Sequence, residues 1–343
     1  MLAAAATAAL MTTGAAHAQI SDGVIKIGVL NDMSGLYADI AGPGSVTAAK
    51  MAVEDFGAAA KGMKVEIVGA DHQNKPDIGS NVARSWIDVD KVDAIADVPT
   101  SSVALAVSQI IRDKNKVFLN SGAATSDLTG KACSPNTIHW TYDTWMLANG
   151  TGSAIVKTGG DSWFFLTADY AFGHALENDT TAVIKAKGGK VVGGVKHPLN
   201  ASDFSSFLLQ AQASKAKVIA LANAGGDTIN SIKAANEFGI TKTMKLAGLL
   251  MFINDIHALG LKTTQGMYLT DSWYWDQSDE SRKWAQRFFD KMKKMPSSLQ
   301  AADYSATLQY LNAVKAASTD DGAKVMDALR KQKVNDMYAK NGY

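Results

Sequence analysis

Short apolar runs recur along the chain. Each is closed by a polar or glycine-rich break, and each break is followed by a longer stretch with apolar residues at helical spacing. The pattern predicts strand Val24–Leu30 and then a helix up to Phe56, opened by Gly42-Pro43-Gly44 and carrying Ala48, Ala49, Met51, Ala52 and Val53 on its apolar side. Strand Val65–Ala70, helix Ile78–Asp88, strand Ala94–Asp97, helix Ser102–Asp113 and strand Val117–Asn120 continue it. Ile138-His139-Trp140-Thr141-Tyr142-Asp143 interrupts the rhythm, which then restarts. Strand Ser162–Thr167, helix His174–Lys187, strand Val191–His197, helix Phe204–Ala213, strand Val218–Ala222 and helix Thr228–Phe238 repeat the first plan, and Leu246–Leu250 and Met267–Asp271 read as further strands. From Asp279 on the periodicity is helical, over Ser281–Lys294, Gln300–Ala317 and Gly322–Lys331.

Strand and helix taking turns implies an α/β fold in which mostly parallel sheets are covered on both faces. Two such series predict two Rossmann-like lobes with a cleft between them, crossed by segments near 140 and 271. Residues 19–139 plus 272–330 form the first lobe on this reading, and 140–271 the second, with 331–343 a candidate addition to the second.

Composition narrows the function. The 343 residues are 47% hydrophobic and 20% charged with a net charge of +1, which is globular and points to no nucleic-acid partner. Leu2 to Ala18 is an apolar run ending Ala16-His17-Ala18, the pattern of an export signal over residues 1–18 and too short for a membrane span. No basic residue lies between Met1 and that run, so the true start is expected upstream. Cys133 has no partner for a disulfide and no histidine at metal spacing. No phosphate loop, nucleophile elbow, zinc motif or dinucleotide fingerprint occurs, so neither catalysis, nor a cofactor, nor a metal is expected. Lys291, Lys293 and Lys294 read as the solvated side of an amphipathic helix beside Phe288, Phe289 and Met292.

The candidate chemistry lies at strand ends. Asp97 to Thr129 twice ends an apolar strand in small and hydroxyl residues that open a helix, once at Thr100-Ser101-Ser102 and once at Ser121-Gly122-Ala123-Ala124-Thr125. Helix N-termini offer free amides and a favourable dipole, so Ser101, Ser102, Ala123 and Thr125 are candidate donors to a carboxylate. The same hydroxyls also suit plain helix capping. Tyr37 follows the first strand, Tyr170 and Phe172 follow a strand in the second half, and Asp227 opens a helix, as a first-turn acid or as a carboxylate facing the cleft. In Trp273-Tyr274-Trp275 neighbours alternate in direction, so at least one, taken as Trp273, is expected to face the cleft.

These stretches, with Ile27-Gly28-Val29-Leu30, Met33-Ser34-Gly35, Asp127-Leu128-Thr129, Asp169-Tyr170-Ala171-Phe172-Gly173, Gly225-Gly226-Asp227, Ala234-Ala235 and Phe238-Gly239, resemble type I periplasmic solute-binding proteins of the branched-chain amino-acid (Leu/Ile/Val) binding family. The resemblance implies a receptor for a small carboxylate ligand that closes like a hinge. Ser101, Ser102, Ala123 and Thr125 would meet the carboxylate, Phe172 would line the pocket, and Asp227 would stand where amino-acid binders hold the ammonium. It implies ABC permease subunits and cytoplasmic ATPases as partners, a periplasmic location and a monomer. Trp273-Tyr274-Trp275 and Asn223-Ala224-Gly225-Gly226-Asp227 look most like a subgroup that includes receptors for benzoate or hydroxycinnamate derivatives, which makes an aromatic acid the favoured ligand and a branched-chain or other hydrophobic amino acid the alternative. A ligand-sensing regulator and an extracellular enzyme are the other classes. Family members continue past Met337–Tyr343 into further strands and a third crossing, so the chain reads as a piece of a longer one.

Overall fold

A computed structural model describes residues 20–342, so the leader read at 1–18 lies outside the described residues. The first series runs β1 (Ile25–Asn31), α1 (Gly42–Phe56), β2 (Val65–Asp71), α2 (Pro76–Asp88), β3 (Ala94–Asp97), α3 (Ser101–Asp113), β4 (Val117–Asn120) and β5 (Thr137–His139). Its strands form one parallel five-stranded sheet in the order β2-β1-β3-β4-β5. β3 and β4 are buried at every position, as strands covered on both faces must be.

After β5 the chain crosses into α4 (Thr144–Leu147), a single π-turn over Ala148–Gly152 and α5 (Ser153–Lys157). The second series follows as β6 (Ser162–Ala168), α6 (Ala171–Ala186), β7 (Lys190–His197), α7 (Ser205–Ala213), β8 (Val218–Ala222), α8 (Gly226–Glu237) and β9 (Lys245–Gly248), with α9 (Ile253–Leu259) and α10 (Leu261–Thr264) behind it. These strands make a parallel four-stranded sheet ordered β7-β6-β8-β9. Met267–Asp271, read as a strand, pairs with nothing and is the return crossing instead. A lone extended segment of apolar residues carries the same pattern whether or not a neighbour is there to bond it.

The chain then returns through α11 (Asp279–Met292), α12 (Ser298–Ala317) and α13 (Gly322–Lys331). α12 is buried on nearly all faces because it lies between the first sheet and its neighbours α1 and α13. The segment after α13 packs on the first lobe, which corrects its candidate placement in the second. The Trp273 indole N–H donates to Met337 O at 3.0 Å, and Asp336 accepts from Ser305 and Gln309 on α12.

Candidate functional site

Every loop that reaches the space between the lobes leaves the C-terminal end of a parallel strand, where such sheets bind ligands. Tyr37 follows β1, Pro99 follows β3, and Gly122 and Ala124 follow β4; Tyr170 and Phe172 follow β6, Ala224 follows β8 and Leu250 follows β9. Ile40, Tyr142 and Leu299 complete the wall. In this closed form they leave about 10 Å³, room for roughly one water molecule. The apolar residues Tyr37, Ile40, Ala41, Ala124 and Leu299 of the first lobe run without a break into the core of the second.

The first-lobe side is tied together by buried carboxylates. Asp32 accepts from the amides of Gly35 at 2.7 Å and Tyr37 at 2.8 Å and from the Asn74 side chain at 2.6 Å. One carboxylate thus curls the loop after β1 and delivers the Tyr37 ring to the cleft. After β3 the backbone enters the left-handed region at two successive non-glycine residues, Asp97 (φ 73°) and Val98 (φ 58°), the second a β-branched outlier. That turn presents Pro99. Gly122 sits against it: a Cβ there would lie 2.5 Å from Asp97 Oδ1 and 2.7 Å from Pro99 Cα.

The hydroxyl turns meet each other. The Thr125 amide donates to Ser101 Oγ at 3.3 Å, and Thr125 Oγ1 caps the short turn after it by accepting from the Asp127 amide. The first turn of α3 has no side-chain cap, so its amides face the loop end uncapped. The Ala123 amide and carbonyl are both taken by the Asn120 side chain at 2.9 Å. Pro99, Gly122 and Ala124 form the cavity surface, while Ser101, Ala123 and Thr125 are buried directly behind it and Ser102 is half-buried outside it. The two turns share one hollow, but a ligand in this closed geometry would meet the backbone between the hydroxyls first.

The second-lobe side is aromatic and narrow. The hydroxyls of Tyr37 and Tyr170 lie 2.6 Å apart across the cleft, and the Tyr170 and Phe172 rings pack at 5.9 Å. Burial first, and the nearby Asp227 charge after it, hold both phenols well above their ordinary range; Tyr170 adds to the rise at Tyr37, whereas the hydrogen bond to Tyr37 opposes it at Tyr170, and both keep their protons. One proton bridges the two oxygens and the other remains free to donate. Gly225 (φ 57°) lets the loop before α8 close on the first lobe, where a Cβ would meet Leu36 O at 2.7 Å. The Gly226 amide reaches that carbonyl at 3.4 Å, and Asn254 Nδ2 donates to Asp39 O at 3.2 Å. Asp179 on α6 accepts from Ser126 at 2.9 Å and from Thr144 at 2.6 Å, holding the first lobe to the crossing.

Two candidate residues stand elsewhere. Asp227 is buried and does not line the cavity; its carboxylate accepts from the amides of Asn200 at 3.0 Å and Ala201 at 3.2 Å, near enough to the Tyr37–Tyr170 pair for its charge to act on both phenols. Burial pushes it up to about 6 against those two bonds. Trp273 packs edge-on against Trp284 at 5.7 Å inside the first lobe, and it, Tyr274 and Trp275 line not the strand-end cavity but a separate one of about 120 Å³ shared with Ile253 and Ile256 of α9. Alternation did orient the three differently, but the direction that seemed to lead to the cleft leads to α11. Pro99, Ala224 and Leu250 could have been found by the same strand-end rule that picked out Tyr37. Leu299 carries no such signal, since α12 reaches the site from a distant part of the chain.

Residues 24–343 match the sequence profile of the periplasmic binding protein family. The chain belongs to that family. A crystal structure of a periplasmic binding protein from Burkholderia mallei is 61% identical, with a TM-score of 0.92 over 93% of this chain and 85% of that one. A branched-chain amino-acid ABC transporter periplasmic ligand-binding protein from Burkholderia xenovorans is 40% identical, with a TM-score of 0.80 over 92% and 85% of the two chains. A solute-binding protein of an ABC transporter from Rhodopseudomonas palustris, solved with p-hydroxybenzoic acid, shares the fold at 24% identity and a TM-score of 0.84 over 92% and 87%. The Leu/Ile/Val-binding protein homolog 6 of Brucella melitensis is 27% identical over 265 residues, 75% of this chain and 66% of that protein. The chain therefore spans just under two thirds of that relative's length. The family and these neighbours are binding proteins, not enzymes. Among the described residues no helix is long and apolar enough to cross a membrane.

Proposed function

We propose that this periplasmic binding protein is the exported receptor of an ABC importer and that its ligand is a small aromatic carboxylate, delivered to a membrane permease in the closed form. The position of Asp227 carries the ligand reading. An α-amino acid brings an ammonium that needs a counter-charge once water is excluded, and the acid best placed for that task is engaged by the amides of the loop between β7 and α7 and does not line the cavity. An aromatic acid has no such need. Its ring suits walls of Tyr37, Tyr142, Tyr170 and Phe172. Its carboxylate suits the uncapped first turn of α3 and the neighbouring hydroxyls, and a ring hydroxyl suits the Tyr37–Tyr170 pair.

The geometry fits closure of the two lobes on the ligand. The shut cavity holds roughly one water, so a ring enters only when the lobes part, and the contacts that favour closing are those made to both lobes at once. The lobes would divide as 19–139 with 272–343, and 140–271. The branched-chain reading is favoured by the B. xenovorans neighbour's name. A thermal-shift panel of benzoate, 4-hydroxybenzoate, L-leucine and L-phenylalanine separates the two, because a ligand bound at about a hundred times its Kd stabilises the native state by about 2.7 kcal/mol. The benzoates should raise Tm. A response to leucine with none to either benzoate overturns the aromatic reading.

A further inference from the structure

Beneath the first-lobe wall lies a group of buried polar atoms that the packing and the ligand reading leave unused. Asp97 ends β3 and Asp303 lies on α12, and neither is exposed to solvent. Asp97 Oδ2 accepts from Asn31 Nδ2 at 2.8 Å, and Asp303 Oδ1 accepts from the Ser121 hydroxyl. Asp97 Oδ1 and Asp303 Oδ2, the other oxygen of each carboxyl, have no partner. Ser45 of α1 stands within reach of both carboxyls without a well-formed bond to either. No basic side chain acts on the pair, and the other titratable groups that feel its charge are the phenols of Tyr142 on the crossing and Tyr338 on the C-terminal segment. Burial keeps both phenols protonated and so uncharged.

Two buried carboxylates with no basic side chain beside them are not both ionised, because neither desolvation nor mutual repulsion is offset. We propose that Asp97 and Asp303 share a single proton between their free oxygens, and that this acid–carboxylate bond is the strut that fixes the ligand-facing turns of the first lobe. Three wall residues hang from it. Pro99 follows the strained Asp97–Val98 turn, Gly122 lies against Asp97 Oδ1, and Leu299 is one helical turn before Asp303. Consecutive left-handed non-glycine residues persist only where their surroundings hold them, and the strut supplies that hold from α12. Burial pushes Asp97 up to about 6 and Asp303 strongly upward as well, with Asp97 adding to the latter. Loss of the shared proton places a second negative charge under the wall, which opposes an anionic ligand and forces the two turns apart. Asp97 and Asp303 are positioning residues, since neither lines the cavity.

The effect on ligand rests on the reading proposed above, but the effect on stability does not, so the experiment has two arms. The first measures unfolding by urea without ligand, from about pH 5 to about pH 8, for wild type, Asp97→Asn, Asp303→Asn and the double variant. The folded pair keeps a proton that the unfolded chain has lost, so it should make the wild-type folding constant fall with rising pH, its share being at most about tenfold per pH unit on top of that of the other raised acids, Asp227, Asp255 and Asp271. Each single variant should flatten that slope by the same amount, and the double variant should flatten it no further, since one proton serves both groups. Infrared spectra of the wild type cover the case of a variant that does not fold, because a protonated carboxyl C=O band should persist at neutral pH. The second arm titrates 4-hydroxybenzoate, whose affinity should fall with pH in wild type and stay flat in Asp303→Asn. Additive slopes, no protonated band, or one equivalent of metal by elemental analysis of the desalted protein would each overturn the shared proton. A first arm as expected, with no 4-hydroxybenzoate binding at any pH, would leave the strut standing and sink the ligand reading alone.

Discussion

The two sides of the cleft are built differently. On the first-lobe side, loops are bound from within: Asp32 gathers the chain around Tyr37, Asn120 holds Ala123, and Ser101 takes the Thr125 amide. On the second-lobe side the apolar contacts toward the partner lobe are continuous, but among the described residues the hydrogen bonds are few. They consist of the Tyr170 hydroxyl, the glycines before α8, Asn254 and Asp179. A wall whose polar groups are satisfied internally keeps its shape when the lobes part, whereas a face that makes only a few hydrogen bonds across the gap can be gained and lost as a unit. The second-lobe loops are bonded within as well, through Asp227 and Asn223; taking closure relative to the first lobe makes that lobe the fixed half of the site and the second the moving half.

Breaking the fixed half should have the largest effect. Asp32→Ala strands the Gly35 and Tyr37 amides, each formerly bonded to a buried carboxyl, and should cost about 2–4 kcal/mol in urea unfolding and abolish binding of any ligand the wild type takes. A loss under about 1 kcal/mol would mean that the loop is held by something else.

The buried acids near the moving half set a pH dependence of similar size. Asp227 is raised to about 6, and Asp255 and Asp271 to about 7, in each case first by burial. These three groups therefore bind more protons in the folded chain than in the unfolded one over that range. Their share of the stability is greatest at or below the ordinary carboxylate range and falls as pH rises from about 4 through about 7, while the buried imidazoles of His72, His139 and His197, held below their ordinary range by burial, contribute with the opposite sign. The share of Asp227 is at most about 3 kcal/mol, so Asp227→Asn should flatten the slope between about pH 4 and about pH 6 while leaving the higher part in place. An unchanged lower slope would show that Asp227 is ionised at no cost in the fold.

Closure itself is tested at Gly225. Alanine there adds a strained left-handed residue and a Cβ against Leu36 O, an atom of the opposite lobe. Ligand affinity should fall about tenfold or more, equivalent to about 1.4 kcal/mol, with the ligand-free radius of gyration shifted toward the open form in X-ray scattering. Equal affinity would mean that the lobes need not meet at this point. A smaller change is expected at the phenol pair. Tyr37→Phe and Tyr170→Phe should couple by about 1 kcal/mol in a double-mutant cycle on ligand binding. The least effect is expected far from both walls, at the half-exposed Lys217–Asp161 pair, where Lys217→Ala should leave Tm and affinity unresolved from wild type.

The sequence by itself determined the alternation of strands and helices, the break after β5 and the rule that puts function at strand ends. These are properties of short segments: apolar runs, helical spacing and hydroxyls at a turn can be read where they stand. Tyr37, Tyr170 and Phe172 were legible on that basis, and all three line the cavity. What only the tertiary structure decided is where a buried polar or aromatic group turns. Asp227 had two sets of partners open to it, and the nearness of residues 200–201 settled the choice. Trp273 found Trp284 and Met337 instead of the strand-end cavity. Asp97 and Asp303, more than two hundred positions apart, come near enough for one charge to act on the other only because α12 packs against β3. Local pattern encodes which groups must be buried, and the partner that makes a burial tolerable is set by segments arriving from elsewhere in the chain.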